Sequence, residues 1–247
     1  MSLALKLALS PLLVAQAVVT RVRMPRLPEA EGPRRGRVGR GPVVRLLVAG
    51  DSSAAGVGVA GQHEALAAQL ATQLAARRGV QVHWQLLARS GLTTAGTLAL
   101  LQATQPTPGG LRADVAAIVT GVNDVVDQVP SHQAVAARES LANWLRNAAE
   151  VQHVAFAPLP PVHAFPGLPQ PLRWVAGSDA RRHNAALREW VATRHDVSMV
   201  EMAMPLQPGM MASDGFHPGA PVYRYCADTI ARHLAERDWR PLGLRAA

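Results

Sequence analysis

Ser52, His217 and Asn123 lie far apart in the chain, yet their types and surroundings could together perform acyl transfer. Ser52 sits in "VAGDSSAAGVGVAG" (48–61), directly behind the apolar run 43–49. A serine hydroxyl is a weak nucleophile until a base takes its proton. "SDGFHP" (213–218) places Asp214 three residues before His217; Gly215 eases the bend and Pro218 biases His217 away from helix. That spacing lets the carboxylate hold one imidazole nitrogen while the other faces a serine. "ARSGLTT" (88–94) offers the backbone N–H of Gly91, and "TGVNDVV" (120–126) the side-chain amide of Asn123. With Ser52 N–H they make three donors for the negative oxygen of a tetrahedral intermediate. Singly, each has a plainer role as a cap or turn residue.

The same stretch carries a rival signal. Gly56, Gly58 and Gly61 have the G-x-G-x-x-G spacing of a dinucleotide-binding turn. That motif wants its first glycine immediately after the strand and an acidic residue at the end of the second strand. Gly56 lies six residues beyond Gly50, and no Asp or Glu occurs between Glu64 and Asp114. The dinucleotide reading fails on both counts, and a phosphate loop fails because no G-K-[ST] follows.

The elements that would position these residues follow from periodicity. Strand-like runs at 43–49, 80–88, 114–120, 151–157 and 197–202 alternate with helix-like runs at 62–78, 94–104, 131–149, 179–195 and 220–237. Such alternation predicts a parallel sheet covered by helices on both faces, a three-layer α/β/α domain over 43–240. Ser52, Gly91 and Asn123 follow the first three strands and His217 the last, so all four fall on the carboxyl rim of the sheet, where such folds place their ligands.

Four blocks, "GDSSAAG", "SG" at 90–91, "GVND" at 121–124 and "DGFHP" at 214–218, resemble the ordered motifs of the SGNH hydrolases, the GDSL-type esterases and lipases. The resemblance spans roughly 43–237. It implies a flavodoxin-like, doubly wound five-stranded parallel sheet of order 2-1-3-4-5, Ser52 as nucleophile, His217 as base and Asp214 as its orienting partner. It further implies an oxyanion hole of Ser52 N–H, Gly91 N–H and Asn123, and a small ester as substrate. An O-acyltransferase or a carbohydrate O-deacetylase with the same residues is the alternative. Ser53 follows G-D-S where the family name has Leu, which leaves subfamily and substrate open. Such a mechanism calls for no metal and no cofactor. Asp51 and Asp124 are expected to make structural hydrogen bonds and Ser53 to cap the following helix; His183 and His195 read as surface or interface residues.

Residues 158–174, "PLPPVHAFPGLPQPLRW", carry six prolines and read as a long loop, either a stiff connector or a pocket wall offering Phe165 and Trp174 as apolar contacts.

The net charge of +8 resides almost wholly in the leader. Residues 1–45 hold nine cationic side chains against Glu29 and Glu31, a balance of +7 that leaves +1 for the rest. The folded body therefore lacks the basic stripe that nucleic-acid binding requires. Residues 1–20 form an apolar segment, readable as a signal peptide ending near Ala15-Gln16-Ala17 or as an uncleaved surface or membrane helix. Residues 21–42 are rich in Arg, Pro and Gly and read as a linker. Residues 1–45 are the candidate for membrane-surface contact, which favours membrane association or the cell envelope over the cytoplasm. The single Cys226 excludes an intrachain disulfide framework.

Overall fold

In the computed structural model, which describes residues 3–104, 110–203, 206–207 and 209–240, a six-stranded sheet has helices on both faces. The strands are β1 (Arg35–Val38), β2 (Val43–Gly50), β3 (Gln81–Ala88), β4 (Val115–Val119), β5 (His153–Phe156) and β6 (Val197–Met199), ordered β1-β3-β2-β4-β5-β6. The helices are α1 (Leu3–Arg23), α2 (Ser52–Ala55), α3 (Leu66–Arg78), α4 (Thr94–Thr104), α5 (Val122–Val126), α6 (Ser131–Ala149), α7 (Leu172–Val191) and α8 (Ala220–Ala235).

Strand residues alternate between faces, and β2 divides its side chains accordingly. Val44, Leu46 and Val48 enter a core with Leu70 and Leu74 of α3 and Ile230 and Leu234 of α8. Leu47 and Ala49 enter the opposite core with Leu101 of α4, Leu141 and Leu145 of α6 and Leu187 of α7. All these side chains are essentially buried, so the central strand is apolar on both sides, as a doubly covered parallel strand must be.

The five parallel strands run β3-β2-β4-β5-β6, which is the expected order 2-1-3-4-5. The sheet has one strand more than the five expected. The sixth, β1, lies within the stretch read as linker and pairs antiparallel with β3. Its sequence, Arg-Gly-Arg-Val, looks like linker, but it suits an edge: exposed arginines discourage further pairing. Gly36 admits the Trp84 indole, since a Cβ there would stand 2.8 Å from Nε1.

The proline-rich loop is also shorter than expected. Residues 162–164 form a 3-10 turn, and α7 begins at Leu172, behind Pro171, rather than at 179. Proline just before a helix costs nothing, because the N–H it lacks has no acceptor there. A third apolar cluster, with Val125, Leu159, Val162, Phe165 and Leu168 at its centre, sits beyond the carboxyl ends of the strands.

Candidate active site

β2 ends at Gly50, where φ is +156° and a Cβ would meet the Val119 carbonyl oxygen at 1.8 Å. Only glycine can bring the chain this close to β4 before it turns. Asp51 then donates its N–H to Val119 O at 3.1 Å and caps α2 by accepting Ser53 N–H at 3.0 Å. The cap is thus Asp51, not Ser53. Burial pushes the Asp51 carboxyl up to about 7. Ser52 is left as the first residue of the helix, partly exposed, and its N–H meets no protein acceptor among the described residues.

Across the rim, His217 Nε2 stands 3.0 Å from Ser52 Oγ, and His217 Nδ1 stands 2.6 Å from Asp214 Oδ2. The other carboxylate oxygen of Asp214 accepts the backbone N–H groups of Phe216 and His217, each at 2.9 Å. Burial alone would raise this carboxyl. The hydrogen bonds from the His217 ring and the two backbone N–H groups outweigh it and hold Asp214 below the usual carboxylate range. The expected Asp-x-x-His turn therefore forms, and it points its free nitrogen at the serine.

Gly91 lies in an exposed turn after β3 with φ of +83°, where a side chain would be strained although open space surrounds it. Its N–H also meets no acceptor among the described residues. Asn123, in the first turn of α5, donates one amide proton to Leu92 O at 3.0 Å and keeps a second. Asp124 accepts Thr94 Oγ–H at 2.6 Å and Thr94 N–H at 3.2 Å, which braces the two strand ends against each other. Asp51 and Asp124 thus make the structural hydrogen bonds expected of them.

The two apolar candidates fall elsewhere. Phe165 is only 3% exposed and stands edge-on to Phe216 at 5.4 Å between ring centroids. Phe216 in turn packs edge-on against the His217 ring at 5.2 Å. Phe165 therefore supports Phe216 from behind and presents no surface of its own. Trp174 is exposed on the first turn of α7. His183, read as a surface or interface residue, is buried with Nε2 on Val129 O at 3.1 Å, whereas His195 is exposed. A cavity of about 420 Å³ among Arg35, Arg37, Arg45 and His83 opens at the amino-terminal end of β2, opposite Ser52. Among the described residues no cluster of His, Cys, Asp and Glu could hold a metal ion.

Two participants escape sequence reasoning. Phe216 sits inside a motif but shows no chemistry by type. Glu29 lies 61 residues before Ser90, yet its carboxylate accepts both Ser90 N–H and Ser90 Oγ–H. The one signal it gives is to be one of two acids in an arginine-rich leader.

The GDSL-like lipase/acylhydrolase family matches residues 48–225, a span that contains every residue of the rim. The chain belongs to this family. A GDSL-like esterase of Mycobacterium tuberculosis is 31% identical over 254 residues, covering 92% of this chain and 76% of that protein. A lipase from a goat rumen metagenome superimposes with a TM-score of 0.60 at 16% identity, covering 78% of this chain and 97% of its own. A carbohydrate acetylesterase of Sinorhizobium meliloti gives a TM-score of 0.57 at 14% identity, covering 78% and 98%. At those identities the two structures bear on the fold alone. Family membership makes this GDSL-like chain a hydrolase that acts on esters.

Proposed function

We propose that the chain cleaves carboxylic esters through an acyl-enzyme on Ser52. The observation that carries this reading is the hydrogen-bond chain from Asp214 through His217 to Ser52 Oγ, at 2.6 Å and 3.0 Å. His217 Nε2 takes the hydroxyl proton as Ser52 Oγ bonds to the ester carbon. The carbonyl π pair moves onto oxygen, where Ser52 N–H, Gly91 N–H and the second Asn123 amide proton stabilise it. As the intermediate collapses, the C–O bond to the alcohol breaks and the leaving oxygen takes the proton from His217. Water then repeats the sequence, with His217 as base, and frees the acid. Asp214, ionised well below neutral pH, holds the ring orientation and stabilises the imidazolium.

An acceptor hydroxyl in place of water would make the second half O-acyl transfer, and an acetylated sugar would make the reaction O-deacetylation; product analysis with sugar acceptors separates these. The test of the reading is a chain-length series of aryl esters with wild type and Ser52→Ala.

A further inference from the structure

The turn that carries Gly91 has little to hold it. Ser90 and Gly91 are exposed, a Cβ at Gly91 would touch nothing within 4 Å, and the turn's own Leu92 N–H to Arg89 O bond is long at 3.4 Å. Its first residue is joined to the end of β2 by a long Arg89 N–H to Gly50 O bond at 3.3 Å, and past that point two ties fix it from outside. On one side Asn123 Nδ2 donates to Leu92 O at 3.0 Å. On the other, Glu29 Oε1 accepts Ser90 N–H at 2.6 Å and Ser90 Oγ–H at 2.8 Å. Glu29 Oε2 is in turn paired with Arg34 Nη2, and Arg34 Nη1 donates to Ala88 O at 2.7 Å, at the end of β3. Burial would raise the Glu29 carboxyl; the Ser90 bonds and Arg34 more than offset it and hold it low.

We infer that Glu29 is a positioning residue that, with Arg34, clamps the Ser90–Gly91 turn and so aims Gly91 N–H at the oxyanion. Nothing else in the described interactions of this turn fixes Ser90, and the adjoining N–H is the donor that must not move. Misplacing a group by about 1 Å can cost about 10²-fold in rate. The inference rests on Gly91 N–H being an oxyanion donor at a Ser52 acyl-enzyme site.

The test compares Glu29→Ala, Glu29→Gln and Ser90→Ala in the full chain, with kcat expressed per active site titrated by a fluorophosphonate. Titration removes any contribution from unfolded protein. The expected result is a kcat lowered about 10- to 100-fold in Glu29→Ala with KM nearly unchanged, and partial recovery in Glu29→Gln, whose amide oxygen still accepts both Ser90 protons while its NH2 cannot accept from Arg34. If Glu29→Ala does not fold, Ser90→Ala, which removes one of the two bonds, should lose several-fold. A titrated kcat within twofold of wild type in Glu29→Ala, or in Ser90→Ala where it alone folds, overturns the inference. Ser52→Ala run alongside separates the cases: if it keeps its activity, the acyl-enzyme reading itself fails.

A separate observation concerns α1. Leu7, Val14, Val18 and Val22 recur at spacings that put them on one face, and they are 63%, 62%, 57% and 78% exposed. On the opposite face Leu13, Gln16 and Thr20 are partly buried, and Gln16 bonds Gln170 O at 2.6 Å and Leu172 N at 3.0 Å. The helix is thus apolar outward, the reverse of an ordinary surface helix. It carries no Asp or Glu, and the exposed Arg21, Arg23 and Arg26 follow its apolar stripe. No helix among the described residues is long and apolar enough to cross a membrane.

We propose that α1 lies on an anionic bilayer surface, its valines in the acyl boundary and its arginines among the headgroups. Co-sedimentation with vesicles of phosphatidylcholine, with and without phosphatidylglycerol, tests this with the full chain. Wild type should bind the anionic vesicles, less so at high salt, and the double variant Val14→Glu/Val18→Glu should bind about tenfold less. Absence of binding, equal binding by the variant, or self-association without vesicle binding overturns it.

Discussion

Asn123 gives one amide proton to Leu92 O and retains another, so its side chain is oriented before any substrate arrives. Loss of one oxyanion donor costs about 10²–10³-fold in turnover. Asn123→Ala should therefore lower kcat by about that factor while thermal unfolding moves by only a few degrees, because Asn123 is partly exposed and outside the apolar clusters. Steady-state kinetics beside a melting curve checks both halves. At this scale sequence singles out Ser52, Gly91, Asn123, Asp214 and His217 by type and by position after strands, and the fold joins Asp214, His217 and Ser52 in one hydrogen-bonded chain. Phe165 misled, because composition marks a residue as apolar without saying whether it faces substrate or the back of Phe216. Glu29 was invisible, since a contact across 61 residues leaves no spacing to detect.

Among the elements, β5, β6 and α8 meet in a polar knot at the end of the sheet away from Ser52. Ser198 Oγ lies 2.7 Å from His153 Nε2 and 2.7 Å from His233 Nε2. Burial, reinforced by Arg237, pulls each imidazole down to about 4. In the unfolded chain both titrate near 6.5. Between about 4 and 6.5 the unfolded state therefore binds more protons at this pair, so the pair's contribution is intact above 6.5 and is lost as pH falls toward 4. Asp51, raised to about 7, acts in the opposite sense, since its contribution is lost as pH rises from the ordinary aspartate range. The pair is isolated by variant comparison: denaturant midpoints of His233→Gln should fall less steeply than wild type from pH 6.5 to 4. Equal slopes would remove the assignment. Long apolar and amphipathic runs gave the five parallel strands and the helices of the body directly. β1 is not legible in sequence because four residues of Arg, Gly and Val are an edge strand only once β3 is present to pair with, and α7 begins before 179 because prolines that end one pattern can open the next.

In the whole molecule, the leader and the hydrolase body are tied together rather than merely joined. Met24, like Phe216, packs against the cluster that contains Phe165, Glu29 holds Ser90, Ala30 donates to Ala55 O at 3.3 Å, and Arg34 accepts Leu86 N–H at 2.7 Å. The charge imbalance of the leader thus belongs to a segment that passes along the carboxyl rim of the sheet. Ser52 is the proposed nucleophile of this rim. The most direct measurement is turnover of a short-chain aryl ester by wild type and by Ser52→Ala of matched melting behaviour. A loss of at least about 10³-fold is expected, and a Ser52→Ala protein that turns over the ester at the wild-type rate would rule Ser52 out as nucleophile.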